Sequence, residues 1–136
     1  MILADTSAWV EFDRATGSAV DRRLTELISS DGPVAVTEPI IAEVSAGART
    51  AEREAALRRL VARVRLLPFD SVTDFDAAVT IYRSCRQAGV TLRGLFDCMI
   101  AAVALRNGAR VLAQDADMAR IADVVRLGLD EASLRS

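Results

Sequence analysis

The chain has 136 residues, 51% of them apolar and 26% charged, and a formal net charge of −2, which is the size and composition of one soluble globular domain over residues 1–136. It has no His and no Lys, so triads that need His, zinc sites that need His and lysine bases are excluded. The small negative charge argues against broad electrostatic capture of nucleic acid and leaves a local basic patch open.

Short apolar runs alternate with stretches of helical periodicity along the chain. In chain order, the pattern predicts a strand at 1–4 that ends in a turn, a helix around 20–28, a strand at 34–36, a helix at 37–47, a helix at 51–64, an edge strand at 66–69, a helix from 75 to near 89, a helix at 95–105, a strand at 110–113, a short helix around 118–122 and a last strand at 124–127.

The predicted strands are apolar throughout instead of alternating in polarity, which is typical of strands covered on both faces. Since they alternate with helices, we predict an α/β fold, a three-layer α/β/α sandwich with a mostly parallel central sheet. The amino-terminal residues show neither a basic start nor a long apolar run, so we expect no export signal and no membrane span. We expect a cytoplasmic protein in which Cys85 and Cys98 are buried free thiols.

Five acidic residues differ from the rest in their surroundings. Asp5 follows the first strand directly, Asp115 and Asp117 follow the strand at 110–113, Asp97 lies near the start of an apolar helix, and Glu43 lies within another. Ligands bind outside the carboxyl ends of strands in open parallel sheets. The aspartates are also common as helix caps and turn residues, and those interpretations stay open here.

Six other acidic residues lie on helical stretches beside Arg, and we interpret them as solvent-facing. They are Asp21, Glu26, Glu52, Glu54, Asp74 and Asp76.

If the five unusual carboxylates meet, they need a compensating positive charge, because like charges in a poorly solvated site raise each other's pKa. Oxygen ligands without His or thiolate favour a hard cation, Mg²⁺ or Mn²⁺. One or two such ions promote hydrolysis of phosphodiesters. We therefore predict a metal-dependent hydrolytic site, with Arg93 as the first candidate for phosphate positioning and Arg86 as the second.

Three segments of the chain, DTSAW, TEPIIAEVSAG and RGLFDCMIAAVALRNGARVLAQDADMARIA, resemble the PIN-domain ribonucleases, and more narrowly the VapC toxins of toxin–antitoxin pairs. The resemblance implies a compact α/β/α sandwich with an acidic pocket for Mg²⁺ or Mn²⁺. It further implies cleavage of single-stranded or looped RNA and inhibition by a cognate antitoxin.

Matched residue by residue, the resemblance implies Asp5, Glu43, Asp97 and Asp115 as catalytic residues. The same four residues and Asp117 are the implied metal ligands, with Asp5 and Asp97 as the principal ones.

The small hydroxyl residue after the first aspartate of the family matches Thr6, with Ser7 beside it. Thr6 and Arg93 are therefore the predicted substrate-positioning residues.

A mean hydropathy of +0.24 favours a homodimer that hides excess apolar surface, with a groove for an antitoxin helix. Trp9 is interpreted as core.

Three other functions share some of these features. A receiver-type phospho-acceptor domain has strand-end aspartates but usually needs a lysine, which this chain lacks. An aspartate-based phosphatase could use Asp115-Ala116-Asp117, although that motif normally follows the first strand. A catalytically inactive α/β interaction module would use its acidic pocket only to bind a partner.

Overall fold

Four strands and seven helices alternate along the chain in the computed structural model, which describes residues 1–134; residues 135 and 136 of the predicted domain lie outside the described part. In chain order they are β1 (Ile2–Ala4), α1 (Thr6–Asp13), α2 (Ala19–Ser29), β2 (Val34–Val36), α3 (Glu38–Ala46), α4 (Ala51–Val61), β3 (Arg65–Leu66), α5 (Asp74–Gln87), α6 (Phe96–Asn107), β4 (Arg110–Leu112) and α7 (Ala116–Val125).

The four strands form one parallel sheet in the order β3-β2-β1-β4. Leu3 of β1 pairs with Ala35 of β2 on one side and with Val111 of β4 on the other. Every residue of β1 and β2 is buried, because helices cover both faces of the sheet. The three-layer α/β/α sandwich with a parallel sheet is thus confirmed.

Most predicted strands are confirmed. The apolar runs at 1–4, 34–36 and 110–113 form β1, β2 and β4, and the run at 66–69 contributes its first residue to β3, which lies at the sheet edge as its proline predicted. The strand predicted at 124–127 is wrong. Val124 and Val125 end α7, and only Leu129 forms a bridge to β4.

Helix α1 is absent from the prediction, which placed a turn after β1. Its sequence, TSAWVEFD, is only weakly amphipathic, so periodicity does not reveal it. The helix begins directly after Asp5, whose side chain accepts from the Ser7 amide as an N-cap. Trp9 follows within α1 and is fully buried, with its indole N–H donating to the Ala4 carbonyl at 3.1 Å, which confirms it as core.

The structure confirms the predicted burial of two cysteines and contradicts the predicted exposure of two aspartates. Cys85 and Cys98 are free and buried, as predicted. Asp74 is not solvent-facing: it is 1% exposed and pairs with Arg106, while Asp21 is also buried. Within residues 1–134, no helix has the length and apolar character that a membrane span requires.

Candidate metal centre

Three of the predicted carboxylates meet at one edge of the sheet. Asp5, Asp97 and Asp115 each offer a carboxylate oxygen, and these oxygens all lie within 4.8 Å of one another. Asp5 follows β1, Asp115 follows β4 after two residues, and Asp97 is in the first turn of α6. Residues that are far apart in sequence therefore form one acidic cluster.

The sheet order explains why the cluster forms at this place. From β1 the chain adds β2 and β3 on one side and later returns to add β4 on the other side. Where the strand order reverses in this way, a crevice opens at the carboxyl ends of the two neighbouring strands, here β1 and β4. The Asp5 amide donates to the Leu112 carbonyl at 3.0 Å, so the β1–β4 pairing holds Asp5 beside the segment that carries Asp115.

The two carboxylate oxygens of Asp5 have different surroundings. Oδ2 accepts from the hydroxyl of Ser7 at 2.7 Å and from its amide at 3.4 Å. Oδ1 is buried and has no hydrogen-bond partner among the described residues. Burial raises the pKa of Asp5 to about 6 against the opposing effect of the Ser7 hydrogen bonds, and the charges of Asp115 and Glu43 add to the rise. Asp5 therefore caps α1 through one oxygen and leaves the other for a ligand.

Ser7 connects the segments that follow β1 and β4 at the crevice. Its Oγ donates to Asp5 Oδ2 and accepts from the Gln114 amide at 2.8 Å. This role of Ser7, the neighbour of Thr6 in the sequence, was not predicted. An Asp at an N-cap position with a Ser two residues later is the local pattern from which this contact could have been expected.

Asp97 is the most strongly perturbed carboxyl of the cluster. Burial, a hydrogen bond with Asp115 and the charges of Asp5, Asp115 and Glu43 together raise the pKa of Asp97 to about 8. Asp97 does not cap α6, since Leu95 is the N-cap residue and makes no side-chain cap. The capping interpretation therefore holds for Asp5 but not for Asp97, and Asp115, interpreted as a turn residue, caps α7.

Glu43 faces the same crevice from α3, and Thr6 orients it. The Thr6 hydroxyl donates to Glu43 Oε1 at 2.6 Å. Because this bond engages Oε1, Oε2 remains available for a ligand or a water molecule. The observed contact of Thr6 is therefore with a carboxylate of the site.

Asp117 is held away from the cluster by two arginines. Its Oδ2 accepts from the amide and Nε of Arg93, both at 3.1 Å, and its Oδ1 accepts from Arg120 Nη1 at 2.7 Å. Burial alone would raise the pKa of Asp117, but these hydrogen bonds lower it below the ordinary value. Both oxygens are thus engaged, so the geometry does not support Asp117 as a metal ligand.

Arg93 lies at the rim of the cluster and joins its two acidic neighbours. Besides its contacts with Asp117, its Nη2 donates to Asp115 Oδ1 at 2.7 Å. Hydrogen bonding to Asp117, followed by the charges of Asp115 and Asp117, raises the pKa of Arg93. Arg86, the second candidate, instead lies over the Tyr82 ring at 5.1 Å on α5.

A groove of about 590 Å³ opens over the cluster. It is lined by Asp5, Thr6, Ser7, Val10, Glu11, Glu43, Arg93, Gly94, Leu95, Phe96, Asp97, Gln114 and Asp115. Six of the seven predicted site residues therefore line one groove, and Asp117 lies next to it behind Arg93.

The donor set fits a hard divalent cation. A buried carboxylate oxygen without a partner, Asp5 Oδ1, is costly unless something positive binds it. Two neighbouring carboxylates offer further oxygens. Oxygen ligands alone are the set that Mg²⁺ and Mn²⁺ prefer. Asp5, Asp97 and Asp115 could hold such an ion, with Glu43 at the side.

Comparison with known families and proteins gives a consistent result. The PIN domain family model matches residues 2–124. A VapC ribonuclease of Mycobacterium bovis and ribonuclease VapC11 of Mycobacterium tuberculosis are each 45% identical to the chain over 128 residues, which cover 93% of this chain and 96% of theirs.

Solved structures with the same fold are more distant in sequence. VapBC2 from Rickettsia felis, bound to a promoter DNA fragment, superposes with a TM-score of 0.75 at 17% identity, covering 96% of this chain and 98% of that chain. VapC20 of Mycobacterium tuberculosis, a toxin that cleaves the sarcin–ricin loop, gives a TM-score of 0.64 at 21% identity, covering 88% of this chain and 93% of that chain.

Proposed function

The chain belongs to the PIN domain family, in its VapC ribonuclease branch, and from this premise we propose that it is a metal-dependent endoribonuclease that acts as the toxin of a toxin–antitoxin pair. Residues 1–136 form the single ribonuclease domain in this proposal. The substrate is single-stranded or looped RNA, because the target phosphate has to enter a narrow acidic groove and unpaired bases can turn away from it.

One observation carries the proposal: the meeting of Asp5, Asp97 and Asp115 around the unpartnered Asp5 Oδ1. These three residues would hold Mg²⁺ or Mn²⁺. Such an ion supplies positive charge that favours ionisation of water and stabilises the charge that develops on a phosphate. Without it, the same carboxylates would repel the RNA backbone.

The residues around the cluster have distinct proposed roles. Glu43, oriented by the Thr6 hydroxyl, orients the attacking water through Oε2 and accepts its proton. Ser7 holds Asp5 through Oδ2, so that Oδ1 stays without a protein partner among residues 1–134. Arg93 carries the positive charge at the rim and positions the phosphate oxygens that flank the cleaved bond. Asp117 holds Arg93 and does not bind the metal.

The proposed partners follow from the family. A cognate antitoxin protein covers the site in the resting cell, and the solved VapBC complexes of the same fold are consistent with such a partner. We also propose a homodimer in the cytoplasm. Exposed large apolar side chains support a second copy: Phe75 and Val79 on α5 and Phe96 on α6 are each about half exposed.

The experiment is a cleavage assay on purified protein. Labelled single-stranded RNA is incubated with Mn²⁺, with Mn²⁺ and excess EDTA, and with the Asp97→Asn variant. We expect cleavage only with wild-type protein and free Mn²⁺. Arg59→Gln, an exposed change on α4, is the matched control and cleaves like wild type.

The alternative functions, a phosphatase and an inactive interaction module, predict different results in this assay. Cleavage that persists in EDTA and in Asp97→Asn would contradict the proposed metal site. Intact RNA with turnover of a phosphate monoester would favour the phosphatase, and no turnover of either substrate would favour the inactive interaction module.

A further inference from the structure

A second groove continues from the acidic one past Arg93. It has a volume of about 810 Å³ and shares Arg93, Gln114 and Asp115 with the groove over the acidic cluster. Its far part runs along the amino-terminal half of α7, where Arg120 lines it, and Thr91 lines the opposite wall. We call this second groove the arginine arm.

The two arginines of the arginine arm are held in place by one carboxylate, that of Asp117. Asp117 is 4% exposed, whereas the side chains of Arg93 and Arg120 are 78% and 53% exposed. One buried carboxylate thus anchors two guanidinium groups that face water. Two arginines and two aspartates line the arm, and the guanidinium groups are its most exposed charged groups.

Both arginines keep unused hydrogen-bond donors. Arg93 donates from Nε and Nη2, and its Nη1 has no partner among residues 1–134. Arg120 donates from Nη1 only, which leaves its Nε and Nη2 without a partner in the same part of the chain. A guanidinium fork with free N–H groups matches the oxygens of a phosphodiester.

The groove on the opposite side of the cluster has a different character. It is smaller, about 220 Å³, and it is partly apolar, since Trp9, Val44 and Leu57 line it. Of its arginines, Arg53 pairs with Asp13. Within residues 1–134, no buried carboxylate anchors Arg14 or Arg49, so the positions of these two arginines are less fixed than those of Arg93 and Arg120.

From these observations we propose that the RNA strand leaves the cleavage site along the arginine arm, where Arg93 and Arg120 bind the adjoining phosphates and Asp117 positions both arginines. This inference rests on the proposed ribonuclease function. It makes Arg120 a substrate-binding residue and Asp117 a positioning residue, and it gives the bound strand a direction across the fold.

The test measures cleavage of a short labelled single-stranded RNA with Mn²⁺ at several NaCl concentrations. Each lost phosphate contact makes the slope of log(kcat/KM) against log[NaCl] shallower by about 0.7. We expect this change in Arg120→Gln, together with a KM higher on the order of tenfold and an unchanged kcat. Asp117→Asn should raise KM in the same way and still gain thermal stability from Mn²⁺, as wild type does.

The control variants test the direction of the strand. Arg14→Gln and Arg49→Gln change arginines of the opposite groove, and Arg59→Gln changes one outside both. All three should keep the wild-type slope and KM. The inference is overturned if Arg120→Gln keeps the wild-type slope, if Asp117→Asn keeps the wild-type KM, or if Arg14→Gln or Arg49→Gln flattens the slope as much as Arg120→Gln. A wild-type protein that cleaves no RNA would overturn the proposed function and this inference together.

Discussion

The Ser7 hydroxyl lies 2.7 Å from Asp5 Oδ2 and donates a hydrogen bond to it. The same oxygen atom of Ser7 accepts from the Gln114 amide, so a single hydroxyl joins the ends of β1 and β4. This contact fixes one oxygen of Asp5, while the other, Oδ1, is buried without a hydrogen-bond partner among the described residues. The orientation of the proposed metal ligand therefore depends on a residue that does not itself bind the metal.

Replacing Ser7 with Ala should shift the pH dependence of cleavage. The Ser7 hydroxyl and amide both lower the pKa of Asp5, which is still raised to about 6. Ser7→Ala keeps the amide but loses the hydroxyl, so the pKa rises further and fewer Asp5 side chains are ionised near neutral pH. We expect Ser7→Ala to lose more activity at pH 6.5 than at pH 8.5, on the order of tenfold for each unit of pKa shift, as seen in pH–rate profiles of kcat/KM.

Ser30→Ala is the matched control, because it removes a hydroxyl that donates to a backbone carbonyl at the exposed end of α2. Its profile should overlay that of wild type. An unchanged profile in Ser7→Ala would show that Asp5 does not depend on Ser7.

Thr6 should matter for turnover through its hydroxyl and not through its methyl group. Thr6→Val keeps the shape but removes the hydrogen bond to Glu43 Oε1, so kcat should fall on the order of tenfold, the value of one hydrogen bond to a charged group. Thr6→Ser retains the hydroxyl and should recover most of the wild-type kcat. Equal losses in both variants would assign Thr6 a packing role instead.

The metal-free protein should lose stability as the pH rises. Asp5 and Asp97 have pKa values raised from 3.8 to about 6 and about 8. The folded state therefore binds more protons than the unfolded state in this range. This contribution to stability is fully present below pH 3.8 and is lost as the pH rises through about 6 and then about 8.

Urea unfolding in EDTA measures this effect. Asp97→Asn should be more stable than wild type at pH 9 and differ little at pH 5, because the replacement removes one of the charges that repel each other. If the unfolding free energies of the two proteins change in the same way between pH 5 and pH 9, the raised pKa of Asp97 is contradicted.

Asp74 and Arg106 should contribute to stability without affecting the site. Arg106 contacts both oxygens of the buried Asp74, at 3.0 and 2.7 Å, and the Pro68 carbonyl at 2.7 Å. Arg106→Gln leaves a buried carboxylate without its partner, which costs about 3 kcal/mol of unfolding free energy. Arg58→Gln, which breaks an exposed pair on α4, should cost less than about 1 kcal/mol. A similar loss of unfolding free energy in both variants would show that the buried pair stabilises the protein no more than the exposed pair does.

The residues that the sequence predicted well are those marked by a local pattern. The apolar runs of β1, β2 and β4 are short but uninterrupted, and an aspartate directly after β1 indicated the sheet edge where Asp5 lies. Helix α1 lacks such a pattern. At 124–127, two β-branched residues resembled a strand although α7 continues through Val125, since tertiary packing overrides local preference there.

The contacts within the site were harder to predict because they join distant positions. Thr6 and Glu43 are 37 residues apart, and Arg93 and Asp117 are 24 apart. The family resemblance implied Asp117 as a metal ligand. Only the fold shows that both of its oxygens are occupied by Arg93 and Arg120. Residue type predicted the acidic cluster, whereas the division of roles within it required the three-dimensional arrangement.

Calorimetric titration with Mn²⁺ tests the central claim most directly, because it needs neither the RNA substrate nor turnover. Wild-type protein and Asp117→Asn should bind the ion with similar affinity. Asp5→Asn and Asp97→Asn should each lose at least about tenfold in affinity, or roughly 1.4 kcal/mol. Mn²⁺ binding of equal strength in all four proteins would contradict the shared site of Asp5, Asp97 and Asp115.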